Sequence, residues 1–183
     1  MINIVPEIIS LSQYLEVQRN NPKLLHPTCC PYCGNEILWG HGCYERKANR
    51  KNVLNISDPI LIHRYFCPNC HRTCSTLPEC LPHNKWYLWN VQQIVLIFFL
   101  IGKSFVAIAK KTMLPRHTIS RWINYFKTHL QMHKKLLCEQ FGDLDISKSF
   151  SAFWLDCLSK ISLAQAMFHC YFAEVKSEGK MQR

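Results

Sequence analysis

Hydrophobic positions change their spacing several times along the chain, and each change predicts a different kind of element. In residues 1–25, Ile8, Ile9, Leu11 and Leu15 fall on one side of a weak amphipathic helix. Pro6 suits its first turn, and Asn20-Asn21-Pro22 ends it. The spacing then shortens. Ile37-Leu38-Trp39 leads through Gly40-His41-Gly42 into Cys43-Tyr44, and later Val53-Leu54-Asn55-Ile56 and Ile60 to Phe66 flank a turn at Ser57-Asp58-Pro59. Short β-branched and aromatic runs with turn residues between them predict a small antiparallel sheet. The polar stretch Glu45 to Asn52 sits between its strands as a hairpin tip.

Helical spacing takes over after Pro82. Trp86 to Ile101 holds the apolar run Ile94 to Ile101, eight residues against the ~20 needed to cross a bilayer, so a buried core helix and no membrane span is expected. Gly102 breaks this helix, and Ser104 can cap a short one over Phe105 to Lys111. Thr112-Met113-Leu114-Pro115 has the length of the turn in a helix-turn-helix. The next helix starts at Pro115 or Arg116, and Ile119, Trp122, Ile123, Phe126 and Leu130 make its buried stripe. Arg116, His117, Thr118, Ser120, Arg121 and Asn124 are left for the outward face. Phe150 to Leu158 and Phe168 to Phe172 then predict one or two packing helices before a polar tail, Lys176 to Arg183. The fold class is therefore α+β, a small antiparallel ribbon followed by a mostly helical part. Its segments are 1–25, 26–83, 84–135 with the helix-turn-helix, and 136–183.

Cysteine spacing adds the chemistry. Cys30-Pro31-Tyr32-Cys33-Gly34 and Cys67-Pro68-Asn69-Cys70 each put two thiols on one tight turn. Proline pre-sets φ for such a turn, and Gly34 can take the left-handed conformation that closes it. Two hooks supply the four thiolates of a closed structural Zn2+ site, with no coordination position left for catalysis. A sheet this small buries little surface, so metal binding would contribute much of its folding energy. Cys29, Cys43, Cys74, Cys80, His41 and His71 lie near the hooks but lack a paired spacing for a second metal. Cys67-Pro68-Asn69-Cys70-His71 also matches the c-type haem string, a reading that leaves the first hook without a purpose. Met1 to Ser10 shows no export signal, and paired cysteines in a reducing compartment read as metal ligands, so a cytoplasmic location is expected.

Charge is uneven. The formal net charge is +10, yet residues 80–138 alone hold nine lysines and arginines and no acid. A long acid-free stretch suits a phosphate backbone, although a solvated basic face has the same composition. On the second helix, arginine can bond guanine bidentately and asparagine adenine. Lys110, Lys111 and Lys127 are placed to contact phosphate. Arg46, Lys47, Arg50 and Lys51 at the hairpin tip could touch phosphate or simply be solvated.

Both stretches together resemble the N-terminal zinc-ribbon and helix-turn-helix region of bacterial insertion-sequence transposases, the transposase-associated zinc-ribbon family. The resemblance covers about residues 26–130. It is carried by the two hooks, by Trp39-Gly40-His41-Gly42-Cys43-Tyr44-Glu45-Arg46, by Ile62 to Cys70, by Thr73-Cys74-Ser75-Thr76-Leu77-Pro78, and by Thr118-Ile119-Ser120-Arg121-Trp122. Cys74 stands where such ribbons carry an aromatic, and Cys43 where they carry a basic or bulky residue. The resemblance implies binding of double-stranded DNA at the terminal inverted repeats of a mobile element, in DNA recombination. A separately encoded catalytic transposase subunit or a homodimer would be the partner. Such transposases carry carboxylates for two metals on an RNase H-like core. The stretch after residue 130, with Asp143, Asp145 and Asp156, is too short for that core. No catalytic residue and no stand-alone enzyme activity is therefore expected. A helix-turn-helix transcriptional regulator and a zinc-ribbon protein-binding adaptor are the alternatives.

Overall fold

A computed structural model describes residues 2–5, 8–47, 59–82 and 87–177. It is an α+β fold in which a four-stranded sheet precedes a run of α-helices. The chain divides into two compact units, Met1–Leu88 with Glu174–Arg183, and Trp89–Ala173.

The first unit contains β1 (Ile2–Val5), α1 (Leu11–Asn20), a 3-10 turn at Pro22–Leu25, β2 (Trp39–Arg46), β3 (Ile60–Phe66) and β4 (Thr73–Pro78). The strand order is β1-β4-β3-β2, antiparallel except for β1, which runs parallel to β4 from Ile2 beside Ser75 to Val5 beside Pro78. The sheet is thus mixed, and the expected helix over 1–25 is replaced by a strand and a shorter helix. The reason lies in Ile2-Asn3-Ile4-Val5, a nearly β-branched run that finds a free edge on β4. Ser10 caps α1, its Oγ accepting from the Gln13 N–H at 3.2 Å. Ile9 falls before this cap and is 61% exposed, so the buried positions are Ile8, Leu11 and Tyr14. The Tyr14 hydroxyl and the Gln18 carboxamide both donate to the Leu61 carbonyl at 3.0 Å, fastening α1 to β3.

Along β3 the buried side changes. Ile60 and Ile62 are buried on one face, whereas Tyr65 is buried on the other, because alternate strand residues point to opposite sides. Tyr65 pairs with Cys74 and packs with Leu38, Cys30 and Cys67, making a small core at one end of the sheet. Trp39, Phe66 and Thr73 lie in register across β2, β3 and β4 on the opposite face. The predicted strand 53–56, with Arg50 and Lys51 of the hairpin tip, lies outside the described residues.

In the second unit, α2 (Trp89–Leu100), α3 (Phe105–Thr112), α4 (Arg116–Thr128), α5 (Leu130–Gln140), α6 (Phe150–Lys160) and α7 (Leu163–Ser177) follow one another. The predicted start of α2 at Trp86 lies outside the described residues. Ser104 caps α3 as expected, accepting from the Ala107 N–H at 3.3 Å. Met113 ends α3 in the left-handed conformation (φ 56°), Leu114 is buried, and Pro115 is the extended N-cap of α4. The stripe Ile119, Trp122, Ile123 and Phe126 is buried. Leu130 does not continue it. The helix breaks at His129, whose Nδ1 lies 2.9 Å from the Tyr125 carbonyl, and Leu130 begins α5. The predicted polar tail also starts later, since α7 reaches Ser177.

Candidate metal centre and basic helix

Two backbone turns of the same construction carry the four thiols. In the first, the Cys30 N–H donates to the Asn35 carbonyl (2.8 Å) and the Gly34 N–H to the Cys30 carbonyl (2.9 Å). In the second, the Cys67 N–H donates to the Arg72 carbonyl (2.9 Å) and the His71 N–H to the Cys67 carbonyl (2.9 Å). Gly34 and His71 hold the matching positive-φ positions, at 73° and 55°. Each loop thereby closes around its own cysteine pair, and the two loops face each other.

The Sγ atoms of Cys30, Cys33, Cys67 and Cys70 all lie within 4.8 Å of one another, with Cys30–Cys70 and Cys33–Cys67 at 3.6 Å. Tetrahedral coordination with metal–sulfur bonds of about 2.3 Å requires sulfur–sulfur separations of about 3.8 Å. The four thiols therefore fit one metal ion. Among the described residues they are the group of three or more His, Cys, Asp or Glu side chains that converges in this way.

Amides support the sulfurs from outside. The Asn69 carboxamide donates to Cys33 Sγ at 3.6 Å, and Asn35 Nδ2 lies 3.9 Å from Cys67 Sγ. The Asn35 backbone N–H and then the Asn69 side chain hold the Cys33 thiol below its ordinary pKa. Such donors favour the thiolate, which is the form that binds metal. The hooks are also braced to each other. Tyr32 donates to the Thr73 carbonyl at 3.4 Å, and the Arg72 guanidinium lies 5.0 Å from the Tyr32 ring centre. Spacing alone did not reveal His71, Asn35 or Asn69 as parts of the site. The available signal was an asparagine close to the second cysteine of each hook, Asn35 two residues after Cys33 and Asn69 just before Cys70.

The remaining donors near the hooks lie elsewhere. Cys29 and Cys43 are exposed. Cys74 is packed behind the site, where burial pushes its thiol up to about 11, and buried Cys80 is pushed up to about 12 for the same reason. His41 and His71 stand against the Phe66 ring, with ring centres 5.9 and 6.1 Å away.

The predicted DNA-contacting residues divide into several groups. Arg116, His117, Arg121 and Asn124 are exposed on α4. His117, Arg121 and Asn124 follow one another at i, i+4, i+7 and so share one stripe. Ser120 is half-buried, whereas Thr118 is 5% exposed and faces inward. Its position four residues before Trp122 places it at the margin of the apolar arc, which corrects its assignment to the outer face. Lys110, Lys111 and Lys127 are exposed, but Lys111 lies over the Phe98 ring (5.1 Å) and Lys127 over Phe99 (4.9 Å). At the sheet, Lys47 is exposed, whereas Arg46 is half-buried and its guanidinium donates to the Pro82 carbonyl. Lys134 belongs to the acid-free stretch but not to the surface. It is 5% exposed, and its ammonium donates to the carbonyls of Ile146 (2.8 Å) and Lys148 (2.5 Å). Asp143 and Asp156 pair with Lys160 at 3.1 and 3.4 Å, Asp156 also with Lys148 at 2.7 Å, and Asp145 accepts from Ser147.

Fold and site together define an α+β protein with a four-cysteine centre able to hold one metal ion. The chain belongs to the family described as a domain of unknown function, DUF6431, whose model matches residues 30–122, from the first metal-site cysteine to Trp122 on α4. No curated protein and no solved structure matches the chain. Among the described residues, no helix is long and apolar enough to cross a membrane.

Proposed function

We propose that the protein is a zinc-containing binder of double-stranded DNA, similar to the DNA-recognition part of an insertion-sequence transposase and without its catalytic core. Four thiolates at tetrahedral separations favour zinc over harder divalent ions, and a fully thiolate-ligated ion is structural. Its part is to hold the two hooks, and with them the end of the sheet, in one arrangement.

The observation that carries the DNA reading is the outer stripe of α4. His117, Arg121 and Asn124 are exposed in line from the first turn of a helix that follows a three-residue turn. Arg116 and Lys110 are exposed beside that turn, and the whole stretch is free of carboxylates. Those side chains have the donors and acceptors that read base edges, and their placement near a helix start is how recognition helices use them. Lys110, Lys111 and Lys127 would set the register on phosphate. Terminal inverted repeats remain the proposed target, and a catalytic subunit in trans or a second copy the proposed partner.

The test is selection of duplexes from a random pool by the zinc-loaded full chain, followed by affinity measurements on the winners. Arg121→Ala should weaken the selected site by ~1–3 kcal/mol and relax its preference at one position. An unselected pool, or full retention of affinity and preference by Arg121→Ala, would reject the reading.

A further inference from the structure

The motif Trp39-Gly40-His41-Gly42 is used neither by the metal site nor by α4, yet it builds a distinct surface. Among the described residues β2 is an edge strand, exposed along almost its full length. Trp39 is 58% exposed and pairs in register with Phe66, their ring centres 6.2 Å apart. Between Gly40 and Cys43 the β2–β3 register shifts, and Gly42 there takes a φ of 75° that other residues adopt at a cost. The shift leaves the His41 ring 5.9 Å from Phe66, and His71 on the second hook approaches the same ring at 6.1 Å. Four rings thus gather on the outer face at the metal end of the sheet, around the half-buried Phe66.

The charge around these rings is positive. Arg64 and Arg72 are the cations beside the rings, against Glu36 three residues before Trp39, whereas Glu45, Arg46 and Lys47 lie toward the other end of the ladder, where Glu45 pairs with Leu61 and Arg46 with Ile60. Arg64 shares the ring-bearing face, its guanidinium 3.4 Å from Thr73 Oγ1. Exposed rings with π-faces and a cationic border suit a ligand that is flat, aromatic and anionic along its backbone. We infer that this face of the ribbon binds single-stranded DNA by stacking unpaired bases on Trp39 and His41, with Arg64 toward the phosphates. Stacking of this kind is tolerant of sequence, because every base offers a π-face. The contact is separate from the duplex contact proposed for α4 and does not depend on it.

Binding of labelled oligo(dT) to the zinc-loaded full chain, followed by fluorescence anisotropy beside a duplex control, tests the inference. Trp39→Ala and His41→Ala should each weaken oligo(dT) binding about tenfold, the scale of one stacked base, while Trp39→Phe retains most of the affinity. Zinc content should stay at the wild-type level in all three, and duplex affinity should not move. Arg121→Ala should change only the duplex arm, so failure of the α4 reading and failure of this one give different results. Wild-type affinity for oligo(dT) in a Trp39→Ala/His41→Ala double variant would overturn the inference. So would absence of oligo(dT) binding by the wild type, or a double variant that loses only self-association in light scattering.

Discussion

Gly34 and His71 occupy equivalent left-handed positions, each donating its backbone N–H to the carbonyl of the first cysteine of its hook at 2.9 Å. The left-handed conformation costs a non-glycine residue about 1–2 kcal/mol. The two loops are therefore built alike but carry unequal strain. Gly34→Ala should destabilise the zinc-loaded protein by ~1 kcal/mol in denaturant titration. His71→Asn, which tolerates that conformation, should be close to neutral. Equal losses in the two variants would contradict the equivalence.

Metal removal should act on one unit more than on the other. The hooks unite elements of the Met1–Leu88 unit, whereas α2–α6 are held by their own apolar core, including Val95, Ile108, Ile119, Phe126 and Trp154. Structural zinc sites contribute on the order of 10 kcal/mol to the domain that holds them. A strong chelator, or Cys67→Ser, should abolish the sheet while much of the helical circular dichroism survives. Complete and simultaneous loss of both signals would argue against this division.

Glu79 gives a pH dependence whose sign can be worked out. It is 5% exposed, its Oε1 has no hydrogen-bond partner, and burial raises its pKa. The folded protein therefore holds this proton to higher pH than the unfolded chain does. Stability from this group is full below the unfolded value of about 4.3 and is lost as pH rises through the raised folded value. Glu79→Gln should remove that slope, so its advantage over the wild type should grow in paired denaturant titrations as pH rises above the usual carboxyl value and level off once the pH has passed the raised folded value. A difference that does not change with pH above the usual carboxyl value would show that the carboxyl does not titrate differently on folding.

Lys134 closes the loop between α5 and α6 by donating to two of its carbonyls from a buried position. Hydrogen bonds from a charged group contribute roughly 1.5–3 kcal/mol, and removing the donor also leaves buried acceptors unpaired. Lys134→Met should cost about 2 kcal/mol and increase amide exchange in residues 143–148, with DNA affinity unchanged. A matching fall in DNA affinity would return Lys134 to the binding surface.

Much of this arrangement was legible in the residues themselves, for identifiable reasons. The hooks are local and their chemistry depends on spacing, and the Ser104 cap and the stripe from Ile119 to Phe126 are local as well. Pairings between distant residues were not legible. β1 is four residues long and pairs with a strand more than seventy positions away, so no periodicity within 1–25 announces it. Thr118 looks outward in a pattern of apolar and polar letters, but a buried arc this wide takes in its β-branched side chain. Arg46 turned inward because the Pro82 carbonyl is there to receive it. The four-ring face was hidden because it depends on cross-strand register and on a bulge.

Affinity for duplex DNA as a function of salt is the most direct test of the central claim. Removing one phosphate contact lowers the log–log slope by about 0.9. The zinc-loaded wild type should bind duplex saturably at low salt and weaken linearly on that scale, Lys110→Ala should reduce the slope by about 1, and Thr118→Val should leave it unchanged. Absence of saturable duplex binding at low salt, or a slope insensitive to Lys110, would contradict DNA binding through α4.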